Sequence, residues 1–228
     1  MSATATSSVS RPASDPLGVF GGTFDPVHFG HLRLAEEARE HLQLAAVRWI
    51  PAGRPPHRAS PGVEPAHRLA MVGLAIDGNP HFAVDGAEVE STAPSYTVLT
   101  LERLRAEAGS RPLVLLVGAD AFAGLATWHR WRELFDLAHI AVFHRPGFPV
   151  AADRLPGELG AQFAARLRPD KNTLGQSAAG AIVSFAMTQL AISATQIRHL
   201  LAHRASARYL LPQPVLDYIE RHHLYRNS

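Results

Sequence analysis

Two histidines three residues apart, His28 and His31, lie in the stretch GGTFDPVHFGH at residues 21–31, directly after the apolar run Leu17–Phe20. Gly21 and Gly22 permit a tight turn and let a phosphate or a base come close to the main chain. Thr23 offers a hydroxyl, and Asp25-Pro26 makes a rigid corner before a helix. The spacing places His28 in the loop and His31 in the first helical turn, with Gly30 leaving room above the helix start. Such a terminus carries free amides and the positive end of the helix dipole, which suits an anion. Two imidazoles beside it add hydrogen bonds, and positive charge when protonated. A zinc site would need a third ligand of the right kind, which is not apparent. The eleven residues together read as a phosphate site.

A second element of the same type is ISATQIRHLL, at 192–201. Ser193 followed three residues later by Gln196 has the form of a capping box, so a helix is expected to begin at Ala194. Thr195 then lies in its first turn and Arg198 about one turn later. A polyphosphate needs two clamps, and this helix supplies the second. The stiff run Pro55-Pro-His57-Arg58 offers an imidazole and a guanidinium. Ser95 and Thr97 flank Tyr96 at another helix start, where a cap alone would explain the serine. Asp120, in VGAD, suits a ribose hydroxyl, a nearby metal or a helix N-cap equally well. Trp128 in TWHRW suits stacking on a planar ring, and core burial of one or both indoles fits as well.

These residues need a frame, and the pattern of the chain predicts one. Strands are expected at Leu17–Phe20, Ala46–Ile50, Phe82–Val89, in PLVLLVGAD, in HIAVFHRPG and in AIVSFAM. Helices are expected from Gly30 to Leu42, from Ala66 to Ile76, in SYTVLTLERLRAEAG ending at Gly109, in WRELFDLA, and at the end over 194–203 and 214–222. Strands alternating with helices of this length imply crossover units and a mainly parallel sheet with helices on both faces, a Rossmann-like doubly wound α/β fold. Residues 148–180 are expected to be a surface excursion with a short helix around 158–167. In doubly wound folds, ligands sit beyond the carboxyl ends of the strands. The unusual residues fall there five times: at Gly21–His31, Pro51–Arg58, Gly118–Asp120, His144–Gly147 and Ser193–Arg198. They describe one crevice.

Composition narrows the chemistry further. The 228 residues carry no cysteine, so disulfides, thiolate nucleophiles and cysteine-ligated metal centres are excluded. Lys171 is the only lysine, and no Walker-type phosphate loop can be written without a lysine after its last glycine. Lys171 lies in the polar stretch RPDKNTLG, a poor setting for a covalent lysyl-adenylate. Hydrophobic residues make up 46% and charged residues 18%, enough for an ordinary core, and the formal net charge is +2. That bias is too mild to imply nucleic acid, and anionic small molecules explain it as well. No apolar run reaches the roughly 20 residues of a membrane helix. The small, polar residues 1–15 lack the apolar core of a secretory signal and are expected to form a disordered tail. Residues 16–228 are expected to form a single domain ending in two helices, in a soluble cytoplasmic protein.

The motif at 21–31 resembles the T/SFDPxHxGH signature of nucleotidyltransferases, and ISATQIR resembles their ISSTxIR signature. Between and after them, PPHR, APSYT, VGAD, TW, HRPG and LLPQPVLDYIERHHLY are similar to the bacterial nicotinate-mononucleotide adenylyltransferases. The resemblance spans about residues 17–226. It implies adenylyl transfer from ATP to nicotinate mononucleotide, giving deamido-NAD and pyrophosphate, with Mg²⁺ held mainly by the ATP phosphates and water. It places Gly21, Gly22, Thr23, Phe24, His28, His31, Gly118, Asp120, Ser193, Thr195 and Arg198 around ATP, with His28, His31 and Arg198 as the catalytic set. It places His57, Arg58, Ser95, Tyr96, Thr97, Trp128 and Arg145 around the mononucleotide, Trp128 stacking on the pyridine while nearby backbone amides meet its carboxylate and Arg145 lies close to the phosphates. The expected partners are these two small molecules, not nucleic acid or membrane, and a homo-oligomer is left open. Alternatives are a pantetheine-phosphate adenylyltransferase-like enzyme, which typically has threonine where His28 stands, or a nucleotide-binding regulator without catalysis. Two departures from the family pattern stand out. Ala194 replaces the second serine of ISST, and Pro51-Ala-Gly53 stands where relatives often carry asparagine.

Overall fold

The computed structural model describes residues 15–55 and 62–226. Six strands, β1 (Leu17–Gly22), β2 (Ala46–Pro51), β3 (Phe82–Val84), β4 (Leu113–Gly118), β5 (His139–His144) and β6 (Ile182–Ala186), form one sheet. Their order is β3-β2-β1-β4-β5-β6, and every neighbouring pair is parallel. The helices are α1 (Phe29–His41), α2 (Pro65–Ile76), α3 (Ala87–Glu90), α4 (Thr97–Ala108), α5 (Ala119–Ala123), α6 (Leu134–Leu137), α7 (Gly157–Arg166), α8 (Ala194–Ala202) and α9 (Gln213–Arg221).

Burial on both faces explains why the strands are short unbroken apolar runs. Side chains alternate across a strand, and β4 divides accordingly. Val114 and Leu116 enter the core with Phe20, Trp49, Met71, Ile197 and Val215, under α1, α2, α8 and α9. Leu113, Leu115 and Val117 enter the opposite core with Leu101, Phe135 and Phe163, under α4, α6 and α7. The strand order reverses between β1 and β4, the point at which doubly wound sheets open a crevice at their carboxyl ends. Gly22 and Gly118 end those two strands.

Three elements depart from expectation. The strand predicted over 82–89 stops at Val84, because the Asp85 carboxylate accepts the Ala87 N–H (3.1 Å) and turns the chain into α3. The segment WRELFDLA divides into a 3₁₀ turn, Trp131–Glu133, and the four-residue α6. Ala119 and Asp120 belong to α5, not to the strand before it. The excursion at 148–180 carries α7 and two 3₁₀ turns, Ala152–Arg154 and Lys171–Gly175. Among the described residues no helix is long and apolar enough to cross a membrane. The tail expected over 1–15 lies outside the described residues except for Asp15.

Candidate active site

Two clefts open at the carboxyl ends of the strands and share a wall made by Gly118, Asp120, Ala121 and Phe143. The first, of about 780 Å³, is lined by His28, Gly30 and His31 on one side and by His144, Arg145 and residues 187–190 on the other. The second, of about 400 Å³, is lined by Gly21, Gly22 and Thr23, by Ser95, Tyr96 and Thr97, and by Trp128 and His129.

In the first cleft His28 is the N-cap residue of α1, and its ring stacks on that of His31 with centroids 3.7 Å apart. A Cβ at Gly30 would lie 3.0 Å from Cε1 and Nδ1 of His28, so glycine there makes room for the ring. The His28 N–H donates to Nδ1 of His31 (3.3 Å). With Nδ1 accepting, the proton of the neutral His31 imidazole sits on Nε2, where it can be donated to an anion. His28 is only 6% exposed, and its Nδ1 has no partner among the described residues. Burial pushes its imidazole down to about 4. The sequence reading allowed both histidines positive charge. For His28 that is corrected: its ring is neutral at neutral pH and offers hydrogen bonds only.

The loop between β1 and α1 is held from behind. Asp25 is 6% exposed, and its carboxylate accepts the Gly62 N–H (2.7 Å) and the Tyr225 hydroxyl (2.7 Å). Burial and the neighbouring Asp25 push the Tyr225 phenol up, so it stays a neutral donor. Arg198 of α8 donates to the Asp25 carbonyl oxygen (2.6 Å), lies 3.6 Å from its carboxylate, and reaches Thr195 Oγ1 at 3.3 Å. Ser193 caps α8 by accepting the Gln196 N–H (3.1 Å). Ile192 lines the first cleft, but Ser193, Thr195 and Arg198, which follow it, are not part of that lining. Phe24 is buried with its ring against Phe20, Trp49 and His31, which leaves only its main chain for a ligand.

In the second cleft the two tryptophans separate. Trp131 packs in the core against Phe135, while Trp128 is half-buried on the cleft wall. Opposite lies Tyr96, with the His129 ring 4.4 Å away. Tyr96 is the N-cap residue of α4, and no side chain caps this helix. The cap that sequence reasoning offered for Ser95 is corrected: its hydroxyl accepts the Arg54 N–H (3.0 Å) and ties down the loop after β2. Gly53 in that loop passes so close to α3 that a Cβ would run into the Glu88 carbonyl oxygen. Glu88 lines the cleft and receives the Thr100 hydroxyl.

Two placements differ from the groupings the sequence implied. Gly21, Gly22 and Thr23, expected around ATP, line the cleft of Tyr96 and Trp128. Arg145, expected at the mononucleotide, lines the cleft of His28 and His31. His57 and Arg58 lie outside the described residues. Asp120 is exposed in the first turn of α5, whose N-cap is Gly118, so the N-cap alternative for this aspartate falls. It is the carboxylate common to both clefts. Among the described residues no three His, Cys, Asp or Glu side chains gather as a metal site.

Sequence reasoning missed Arg68, which is fully buried on α2 and donates to the carbonyl oxygens of Thr23 (2.7 Å) and Gly53 (3.1 Å). The signal was present, because Arg68 falls on the buried stripe of α2 with Met71, Val72 and Ile76. It also missed His129 and Tyr225. For Tyr225, a contact across 200 residues, nothing local in the sequence points to the partner.

Comparison with known proteins adds to this geometry. Residues 19–200 match the cytidylyltransferase-like family model. A curated protein of Dechloromonas aromatica, named "Probable nicotinate-nucleotide adenylyltransferase", is 68% identical over 216 residues, covering 94% of this chain and all of that protein. One of the same name from Acidithiobacillus ferrooxidans is 46% identical, covering 93% of this chain and 97% of its own length. Among solved structures, Plasmodium falciparum nicotinic acid mononucleotide adenylyltransferase complexed with NaAD superposes with a TM-score of 0.68 at 15% identity, covering 92% of this chain and 97% of that one. That likeness concerns the fold.

Proposed function

The chain belongs to the cytidylyltransferase-like family, in the company of nicotinate-nucleotide adenylyltransferases, and from that premise we propose that it transfers the adenylyl group of ATP to nicotinate mononucleotide. The products are deamido-NAD and pyrophosphate. The observation that carries this reading is the pair of clefts sharing the wall at the end of β4. ATP takes the cleft of His28 and His31, and the mononucleotide takes the cleft of Tyr96 and Trp128, so that the two meet at Gly118 and Asp120.

The attacking group is already a phosphate anion, so no activated protein nucleophile is required. Its oxygen attacks the α-phosphorus in line, the bond from that phosphorus to the bridging oxygen breaks, and pyrophosphate leaves with the electron pair. The obstacle is electrostatic. Two unit charges 4 Å apart repel by about 4 kcal/mol at an effective dielectric near 20. Catalysis is then positioning and charge stabilisation. His31 donates from Nε2 to a phosphate oxygen, the first amides of α1 add their dipole, and Arg145 lines the opposite side of the same cleft. Arg198 anchors the loop from α8 through Asp25, which holds the start of α1 in place for the phosphates. Members of this family generally use a divalent cation. We take it to be Mg²⁺ carried on the ATP phosphates with water, because such an ion needs few protein ligands and Asp120 is the carboxylate available to both clefts.

The second cleft accounts for the acid form of the mononucleotide. Trp128 stacks on the pyridine ring, and the uncapped start of α4 at Thr97 receives the carboxylate on its free amides. Residues 16–228 act as one nucleotidyltransferase domain.

Pyrophosphate release from purified protein, ATP and Mg²⁺ tests the proposal, with nicotinate mononucleotide, nicotinamide mononucleotide and phosphopantetheine run in parallel. Rapid release with the nicotinate form is expected. Faster release with phosphopantetheine, or none with any acceptor, overturns it.

A further inference from the structure

Arg68 raises a question of charge. Its guanidinium has no exposed surface, and its Nε has no hydrogen-bond partner among the described residues. Asp25 and Glu64 are the carboxylates close enough to influence it, and Asp25 makes its ion pair with Arg198 at 3.6 Å. The neighbouring Tyr225 stays neutral. Among the described residues Arg68 therefore has the carboxylates of Asp25 and Glu64 within electrostatic reach but forms a direct ion pair with neither. Burying a cation without a direct ion pair is costly, and a neutral amide could brace two carbonyl oxygens at less expense.

Peptide geometry shows what the arrangement achieves. Among the described residues the cis bond is Asp25–Pro26, so the Thr23–Phe24 and Gly53–Arg54 peptides are trans. In a trans peptide the N–H points opposite to the carbonyl. Drawing the Gly53 carbonyl toward Arg68 turns the Arg54 N–H away from it, and that N–H duly donates to Ser95 Oγ on the second cleft. Drawing the Thr23 carbonyl toward Arg68 turns the Phe24 N–H away from α2 in the same manner. Phe24 adopts φ +50°, a left-handed conformation that side-chain-bearing residues avoid, so this peptide needs something to hold it.

We infer that Arg68 is a positioning residue for the transfer reaction: it fixes the Thr23–Phe24 peptide with its N–H presented to a substrate phosphate. The inference rests on the adenylyltransferase reading, and the two can fail separately. Turnover by the wild-type protein tests the reading, whereas turnover by variants relative to wild type tests the role of Arg68.

The experiment compares kcat and KM for both substrates, together with thermal melting, in wild type, Arg68→Gln and Arg68→Lys. Arg68→Gln is expected to lower kcat about 100-fold, the scale for loss of one preorganised donor at the reacting group, with KM changing far less. Arg68→Lys keeps the charge but cannot span both carbonyls, and is expected to recover to about tenfold below wild type. A purely structural brace would lower the melting temperature and the folded fraction while leaving kcat per folded molecule unchanged. Wild-type kcat in folded Arg68→Gln, or a lysine variant no better than the glutamine one, overturns the inference. Should Arg68→Gln not fold, Arg68→Lys decides alone, and a wild-type kcat in it is the contrary result.

Discussion

Burial decides what His28 contributes, and it leaves a signature in stability. A histidine held near pKa 4 in the folded protein, against about 6.5 unfolded, binds fewer protons when folded than unfolded between those values. Stability then rises with pH across the window and is lost as pH falls through it. Between pH 7.5 and pH 5 this single group costs about 2 kcal/mol. Denaturant titrations at both pH values should show that loss in wild type, and a correspondingly smaller one in His28→Asn, where nothing titrates. Equal losses in the two proteins would mean that the ring is not held neutral. At this scale the sequence was readable where chemistry has a local spelling. His28, His31 and the Ser193 cap could be placed from spacing alone. Arg68 could have been found, since it interrupts an apolar stripe. The neutrality of His28 could not, because it depends on packing from distant elements.

Among the elements, α4 is the one to which the proposed function assigns the choice of substrate. Its start at Thr97 lines the second cleft without a side-chain cap, so a carboxylate there gains from the dipole and from free amides, and a carboxamide gains less. Proline at the first position of a helix keeps the helix while deleting one N–H. The preceding Tyr96 is already extended at φ −100°, ψ 123°, the conformation that a following proline requires. Thr97→Pro is therefore expected to fold and to reduce the preference for nicotinate over nicotinamide mononucleotide about tenfold, with Thr97→Ala controlling for the hydroxyl. An unchanged preference in the ratio of kcat/KM values would place the carboxylate elsewhere. The strands and longer helices were legible from apolar runs and periodicity. The error at β3 arose because Asp85 and Gly86 turn the chain within what reads as a continuous strand.

For the molecule as a whole, the site is assembled from both ends of the chain. Tyr225 closes on Asp25 across 200 residues, and the reversal of strand order between β1 and β4 opens the crevice that both clefts share. The alternation of strands and helices announced the parallel sheet, and residues at strand ends announced one crevice. Its division into two clefts with a common wall was not legible, because it depends on how Phe143 and Asp120 are packed at the end of the sheet. In the proposed reaction that common wall is where the two nucleotides meet for direct transfer. The lone lysine, Lys171, lies in a 3₁₀ turn that lines neither cleft, and the chain has no cysteine. A covalent route would have to pass through a histidine, a hydroxyl or a carboxylate of the cleft walls. The stereochemistry of the reaction with ATP made chiral at the α-phosphorus separates the two paths. One in-line displacement inverts that centre, and inversion in the deamido-NAD product is the predicted result. Retention, the outcome of two displacements through an adenylylated side chain, would contradict the account.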